Sequence, residues 1–240
     1  MALTREWWPT GNKSGGGTKR LLVLHSTEGW YNNPNGMYDC AHYFQGPVGA
    51  SSNVVIDDYH PGRIVEMVVR TAGAWTQCNY NSVSISVEMC ATAAWSRSTW
   101  LQKTTMLDNV SRWLREESDI TGIPLAKLTS SQAQGSGRGV CYHSDLGSAG
   151  CGHSDPGAGF PIDVVLDMAL GGGQPPVTTP PAEEETLVFP GVPGIWLKYR
   201  EFQAPSGKMV GFGVGTNGRV YYTWKDHGAD TIWKGPTVIQ

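Results

Sequence analysis

The chain has 240 residues, 40% of them hydrophobic and 16% charged, with a formal net charge of −3. That length supports one middle-sized domain and a smaller one. The near-neutral balance argues against a nucleic-acid-binding protein, and no stretch approaches the roughly 20 apolar residues needed to span a bilayer.

The start, MALTREWWPTGNKSGGGTKR, has no apolar signal core. The expectation is a soluble product made in the cytoplasm, which acts outside only if something else releases it. Leu21, Leu22, Val23 and Leu24 then read as a buried strand, a short continuous apolar run bounded by polar residues. His25 falls at its end, a rigid and partly open place for a ligand or base. GMYDCAHYFQ (36–45) reads as a short helix. SSNVVIDD (51–58) and RIVEMVV (63–69) read as two strands joined by a Tyr-His-Pro-Gly turn. VSISVEM (83–89) alternates and is rich in β-branched residues, so it predicts another strand. Residues 98–119 predict one amphipathic helix with Leu107, Val110 and Leu114 on a single face. PIDVVLDMAL (161–170) predicts a last helix, with Pro161 suited to its first turn. Together these predict a mixed α/β domain over 1–170, a central sheet flanked by helices.

GGGQPPVTTPPAEEE (171–185) is too rich in Gly, Pro and Thr to bury apolar surface and reads as a semi-extended linker. Beyond it, 186–240 carries Trp196, Tyr199, Phe202, Phe212, Tyr221, Tyr222, Trp224 and Trp233 in glycine-punctuated runs such as MVGFGV and GRVYYTW, which predict a small β-rich domain. That tail holds six Lys/Arg against three Asp/Glu, whereas the rest holds 12 against 18. The five cysteines, Cys40, Cys78, Cys90, Cys141 and Cys151, are odd in number and form no C-x-x-C pair. Without an export signal they are expected to be mostly buried thiols, not a thiolate metal cluster.

Two stretches carry candidate chemistry besides His25. GVCYHSDLGSAGCGHSDPGAGFP (139–161) places two His-Ser-Asp triplets within thirteen residues of glycine-rich chain. Histidine and carboxylate are the donors a catalytic zinc takes, three from protein with a fourth position left for water. Glu88 sits inside an otherwise apolar strand, where a carboxylate is costly to bury unless it is paired or used. Beside a metal it is placed to act as the base for water; on an edge strand it would merely face solvent.

The strand ending LLVLHST, the strand SISVEM and the segment GVCYHSD…HSDPGAGFP, in that order, resemble the zinc-dependent N-acetylmuramoyl-L-alanine amidases of the amidase-2 type. These are related to peptidoglycan recognition proteins and are common among bacteriophage endolysins. The resemblance covers about residues 18–170. It implies Zn2+ held by His25, His143 and Asp155, with Glu88 as general base. Where the family often has a lysine that stabilises the oxyanion, this chain has His153. Two readings follow: His153 does the lysine's work, or His153 is itself a ligand and His143 is displaced. Asp145 is a candidate for a supporting role only. Trp75, Thr76, Asn79 and Asn81, which precede the Glu88 strand, are candidates to line a glycan-peptide groove.

The implied reaction is cleavage of the amide between N-acetylmuramic acid and L-alanine of the peptidoglycan stem peptide. A non-catalytic recognition protein on the same fold typically lacks a zinc ligand, and all three are in place here. A recycling amidase of the cytosol would not need the linker and the aromatic tail. A zinc peptidase cutting within the stem peptide is the remaining alternative; H-E-x-x-H is absent. The tail is expected to bind the cell wall, with its aromatics on sugars and its positive charge toward anionic wall polymers. Two domains without a signal or a membrane span fit a phage endolysin that leaves through a separately made membrane hole.

Overall fold

The computed structural model describes residues 2–172 and, further on, the backbone of four strands between 196 and 238. The chain divides into two units, 1–179 and 180–240. From residue 173 on, the predicted linker lies outside the described residues.

The first unit runs β1 (Thr4–Trp7), β2 (Lys13–Ser14), β3 (Leu21–Ser26), α1 (Gly36–Gln45), β4 (Val54–Ile56), β5 (Arg63–Glu66) and β6 (Gly73–Ala74). A 3-10 turn (Cys78–Val83) leads into β7 (Ser84–Met89), α2 (Arg97–Leu101), α3 (Thr104–Thr121), α4 (Ser130–Gln134) and β8 (Gly139–Tyr142). A second 3-10 segment (His143–Gly150) and α5 (Ile162–Ala169) follow. Six strands form one sheet in the order β1-β5-β4-β7-β3-β8. The β4–β5 pair is antiparallel; the other neighbours are parallel. This is the mixed, helix-flanked sheet expected.

Side chains of a strand alternate between faces, and each face here has its own cover. Leu22 and Leu24 of β3 and Ile85, Val87 and Met89 of β7 pack with Leu107, Val110 and Trp113 of α3. Leu21 and Val23 belong to a smaller cluster with Leu128 and Leu146. Val55 and Val65 meet Met37, Cys40 and Phe44 of α1 on that second side. Leu24→Ala would open a hole beneath α3 one residue from His25. It is expected to cost about 2–5 kcal/mol, measured by chemical denaturation of the variant.

The single helix predicted over 98–119 is two helices. Ser96 caps α2 by accepting from the Thr99 amide, and the chain breaks at Gln102–Lys103. Asp58 accepts from the Met106 amide at 3.1 Å and draws the start of α3 toward the β4–β5 turn. The predicted strands at 51–58 and 63–69 shorten to β4 and β5. Ser52 and Asn53 instead form a buried polar knot: the Ser86 amide donates to Asn53 Oδ1 at 2.9 Å, and Asn53 Nδ2 donates to the Val68 carbonyl at 3.0 Å.

The expectation of buried thiols holds for Cys40, Cys90 and Cys141. It fails for Cys78 and Cys151, which form a disulfide with Cα atoms 6.0 Å apart. A bridge between residues 73 apart in sequence depends on the fold and has no signature in local spacing.

In the second unit, β9 (Trp196–Gln203), β10 (Met209–Gly215), β11 (Val220–Lys225) and β12 (Lys234–Val238) form an antiparallel sheet in the order β12-β11-β10-β9. The run MVGFGV falls on β10, and VYYTW of the second run falls on β11. Among the described residues, no helix is long and apolar enough to cross a membrane.

Candidate active site

In open sheets with parallel strands, functional groups gather outside the carboxyl ends of the strands. That is where this chain puts its candidates. His25 lies near the end of β3, Glu88 near the end of β7, and His143 directly follows β8. His25 and Glu88 are register partners across the parallel β3–β7 pair. The alternation that turns Leu24 and Val87 toward α3 turns both of them to the opposite face. Asp155 arrives from the glycine-rich segment and is tied to both strand ends. The Ser26 amide donates to its Oδ2 at 3.3 Å, and the Ser144 amide donates to its carbonyl at 3.1 Å. Just beyond, Gly157 has φ +88° and sits against the Ala93 carbonyl, where a Cβ would collide.

His25, His143 and Asp155 are all buried, and one donor atom from each lies within 4.8 Å of the others. His25 Nδ1 is 3.2 Å from Asp155 Oδ2, and His143 Nδ1 is 3.1 Å from Asp155 Oδ1. The two imidazole centroids are 4.3 Å apart. His143 Nε2 is 2.7 Å from the Gly150 carbonyl. A carbonyl only accepts, so Nε2 carries the hydrogen and a neutral His143 turns the lone pair of Nδ1 toward a carboxylate oxygen. Two acceptors at 3.1 Å are stable only with a proton or a cation between them. His25 Nε2 and Glu88 Oε2 are likewise buried without a hydrogen-bond partner. Two nitrogens, one carboxylate and an outer carbonyl that fixes a histidine tautomer form a donor set suited to zinc.

The electrostatics agree. Burial pushes the His25 imidazolium down to about 4, against the pull of Asp155, so His25 is a neutral donor at ordinary pH. Burial alone would raise Asp155, but the two histidines that face it, His143 and His25, outweigh burial and hold the carboxyl well below its usual range. Burial, then the Asp155 and Glu28 carboxylates, push Glu88 well above the usual range. A cation in the triad would offset that last effect.

These groups floor a cleft of about 540 Å3. Glu88 is 8% exposed and belongs to a central strand, so it is not an edge glutamate facing solvent. His153 stands at the rim, its side chain 58% exposed and its Nδ1 3.7 Å from Asp155 Oδ1. Its ring stacks on His143 at 4.4 Å and 11°. The cluster of mutually close donor atoms comprises His25, His143 and Asp155. Asp145 turns away from the cleft. It pairs with Lys127 at 2.6 Å and accepts from the Tyr142 amide at 2.8 Å, fixing the backbone at the end of β8.

Trp75 and Thr76 line the cleft; Asn79 and Asn81 are not among its lining residues. Asn79 is exposed, and Asn81 Oδ1 accepts from the Thr76 and Gln77 amides, which shapes the turn that presents Trp75. Sequence reasoning missed Glu28, Trp30 and Tyr43, which also line the cleft. Glu28 and Trp30 have left-handed backbone, at φ 55° and 56°. The residue types directly after His25 were the only signal; Tyr43, on a helix face, had none.

Residues 15–158 match the model of the amidase-2 family, described as N-acetylmuramoyl-L-alanine amidase. Among solved structures, the fold is similar to Staphylococcus aureus hydrolase AmiA in complex with its ligand. The match has 18% identity and a TM-score of 0.53, covering 73% of this chain and 89% of that one. An endolysin N-acetylmuramoyl-L-alanine amidase from Clostridium intestinale, LysCS, aligns at 13% identity and a TM-score of 0.47, covering 72% of this chain and 99% of that one. No curated protein matches the chain.

Proposed function

The chain belongs to the N-acetylmuramoyl-L-alanine amidase family, and on that premise we propose that it is a zinc-dependent peptidoglycan hydrolase of the endolysin type. It cleaves the amide between N-acetylmuramic acid and L-alanine of the stem peptide. The observation that carries the zinc assignment is the buried convergence of His25, His143 and Asp155, with one donor atom from each within 4.8 Å of the others and the His143 ring set by the Gly150 carbonyl.

His25, His143 and Asp155 would hold the metal, and zinc bound there would supply Lewis acidity for activating the water and polarising the scissile carbonyl. Glu88 takes the water's proton at a carboxylate oxygen and returns it to the leaving nitrogen of L-alanine. A carboxyl group whose affinity for protons is raised by burial suits both transfers. His153, at the rim, donates to the oxyanion that forms on the former carbonyl oxygen. Trp75 and Thr76 orient the substrate along the cleft wall. The Gly150 carbonyl keeps the His143 ring in one tautomer and orientation throughout.

Removing the metal with a chelator is expected to stop the release of soluble fragments from purified cell walls, and one equivalent of zinc per chain restores it. His153→Ala is expected to lower kcat by roughly a hundredfold or more, the usual cost of an oxyanion donor. His153→Lys recovers part of that loss, and zinc content stays at wild-type level in both variants. Loss of zinc from His153→Ala would instead make His153 a ligand.

The aromatic and basic segment 186–240 is read as a wall-binding module, joined by the linker at 171–185 to the catalytic domain at 1–170. The enzyme acts on the wall after release from the cell in which it is made, through a separately encoded membrane hole.

A further inference from the structure

The thirteen residues from His143 to Asp155 supply two of the three metal donors. Their first half is tied down through Asp145, which meets Lys127, Ser130 and Gln134, but among the described residues their second half, up to Ser154, has no such ties. Leu146 is the one apolar side chain of this segment in the core. Residues 151–154 are exposed. The Cys151 amide donates to the Ser148 carbonyl at 3.0 Å and the Gly152 amide to the Gly147 carbonyl at 2.9 Å, so these bonds stay inside the segment. Among the described residues, the tie from 151–154 to a distant part of the chain is the Cys78–Cys151 disulfide.

The bridge lands where it affects the site on both sides. Cys151 follows Gly150, whose carbonyl fixes the His143 ring, and it precedes His153 and Asp155. Cys78 lines the cleft at the head of a turn held by Asn81, which accepts from the Thr76 and Gln77 amides at 3.2 and 2.8 Å. Both cysteines have left-handed backbone, at φ 52° and 71°. Non-glycine residues keep that conformation only when their surroundings impose it, and such positions cluster at functional sites.

We infer that the Cys78–Cys151 disulfide is a positioning element of the metal site. It clamps the His143–Asp155 segment against the wall of the cleft, so the bridged chain holds zinc more tightly than the reduced chain. This rests on the zinc reading above. Both cysteines are exposed, so a dithiol reaches them. The sulfur–sulfur bond breaks, each cysteine sulfur takes a proton and an electron, and the dithiol is oxidised to its own disulfide. A chain in reducing surroundings therefore carries the weaker site, and exchange with an external disulfide, which is itself reduced to two thiols, restores the bridge and the tighter site.

The test uses the full chain and zinc alone, in competition with a chromophoric chelator. The bridged protein is compared with the Cys78→Ser/Cys151→Ser double variant, which has no thiols at these positions to bind zinc themselves. The dissociation constant is expected to rise at least tenfold in the variant, with near-ultraviolet circular dichroism reporting that it is folded. A bridge of merely structural value would lower the melting temperature and leave zinc affinity unchanged; that result overturns the inference.

Should the variant not fold, the native chain is equilibrated with a dithiol/disulfide buffer, with and without zinc. By reciprocity, a tenfold gain in zinc affinity from the bridge is a tenfold shift of that equilibrium toward the disulfide, about 30 mV. No shift, or a shift toward the dithiol, overturns the inference. If the bridged native chain binds no zinc at all, the zinc reading falls and the clamp with it. Equal binding by both forms removes the clamp alone.

Discussion

His143→Ala is expected to leave a folded protein that holds zinc poorly and hydrolyses peptidoglycan at least about a thousandfold more slowly. The substitution removes a donor, leaves the Gly150 carbonyl without its partner, and takes away the ring on which His153 stacks. Loss of an outer partner of a metal ligand typically lowers affinity or activity roughly 10–100-fold, and loss of the ligand itself goes further. Lewis-acid activation is worth several kcal/mol, and each 1.4 kcal/mol is a factor of about ten in rate, so the thousandfold figure is a lower bound. Zinc content after dialysis, measured beside the turnover of soluble wall fragments, checks both halves. Wild-type zinc content in this variant would show that His143 is no ligand.

Glu88→Gln is expected to behave differently: zinc content unchanged, kcat lower by roughly a hundred- to ten-thousandfold. Glutamine keeps the shape of the side chain but cannot take a proton. Its amide also no longer disfavours the neighbouring Asp155 carboxylate, one of the groups that push Glu88 upward. Metal binding should therefore hold steady or strengthen while chemistry fails. A variant that lost zinc and activity together would place Glu88 among the ligands. A variant that kept its activity would remove it from the mechanism.

Much of this site was legible in the sequence because strand ends announce themselves. LLVL and SISV carry the apolar and β-branched signal of buried strands, and a histidine or glutamate at the end of such a run is conspicuous. The two His-Ser-Asp triplets stood out among glycines for the same reason. The convergence of these groups is a product of topology: β3 is flanked by β7 and β8, so their carboxyl ends deliver His25, Glu88 and His143 to one place.

What stayed hidden depends on tertiary contacts. TREW has no strand-like pattern, yet it forms β1 because Arg5 reaches Glu116 and Glu117 on α3 at 2.8 and 3.1 Å. GVCY becomes a strand through its pairing with Leu21–Leu24 of β3, and so short a run is not separable in sequence from the loop that follows. The break between α2 and α3 comes from Asp58, far off in sequence. Asn79 and Asn81 share a segment with Trp75 and Thr76, but the 3-10 turn directs them elsewhere. The Cys78–Cys151 pairing joins two loops that meet only once the sheet is assembled.

The most direct measurement is the identity of the new chain ends when the full chain, loaded with zinc, digests purified peptidoglycan. Amidase activity predicts free amino termini of L-alanine and no new reducing sugars, with both wild-type chelated protein and Glu88→Gln releasing neither. New amino termini from other stem-peptide residues, or new reducing sugars, would contradict it.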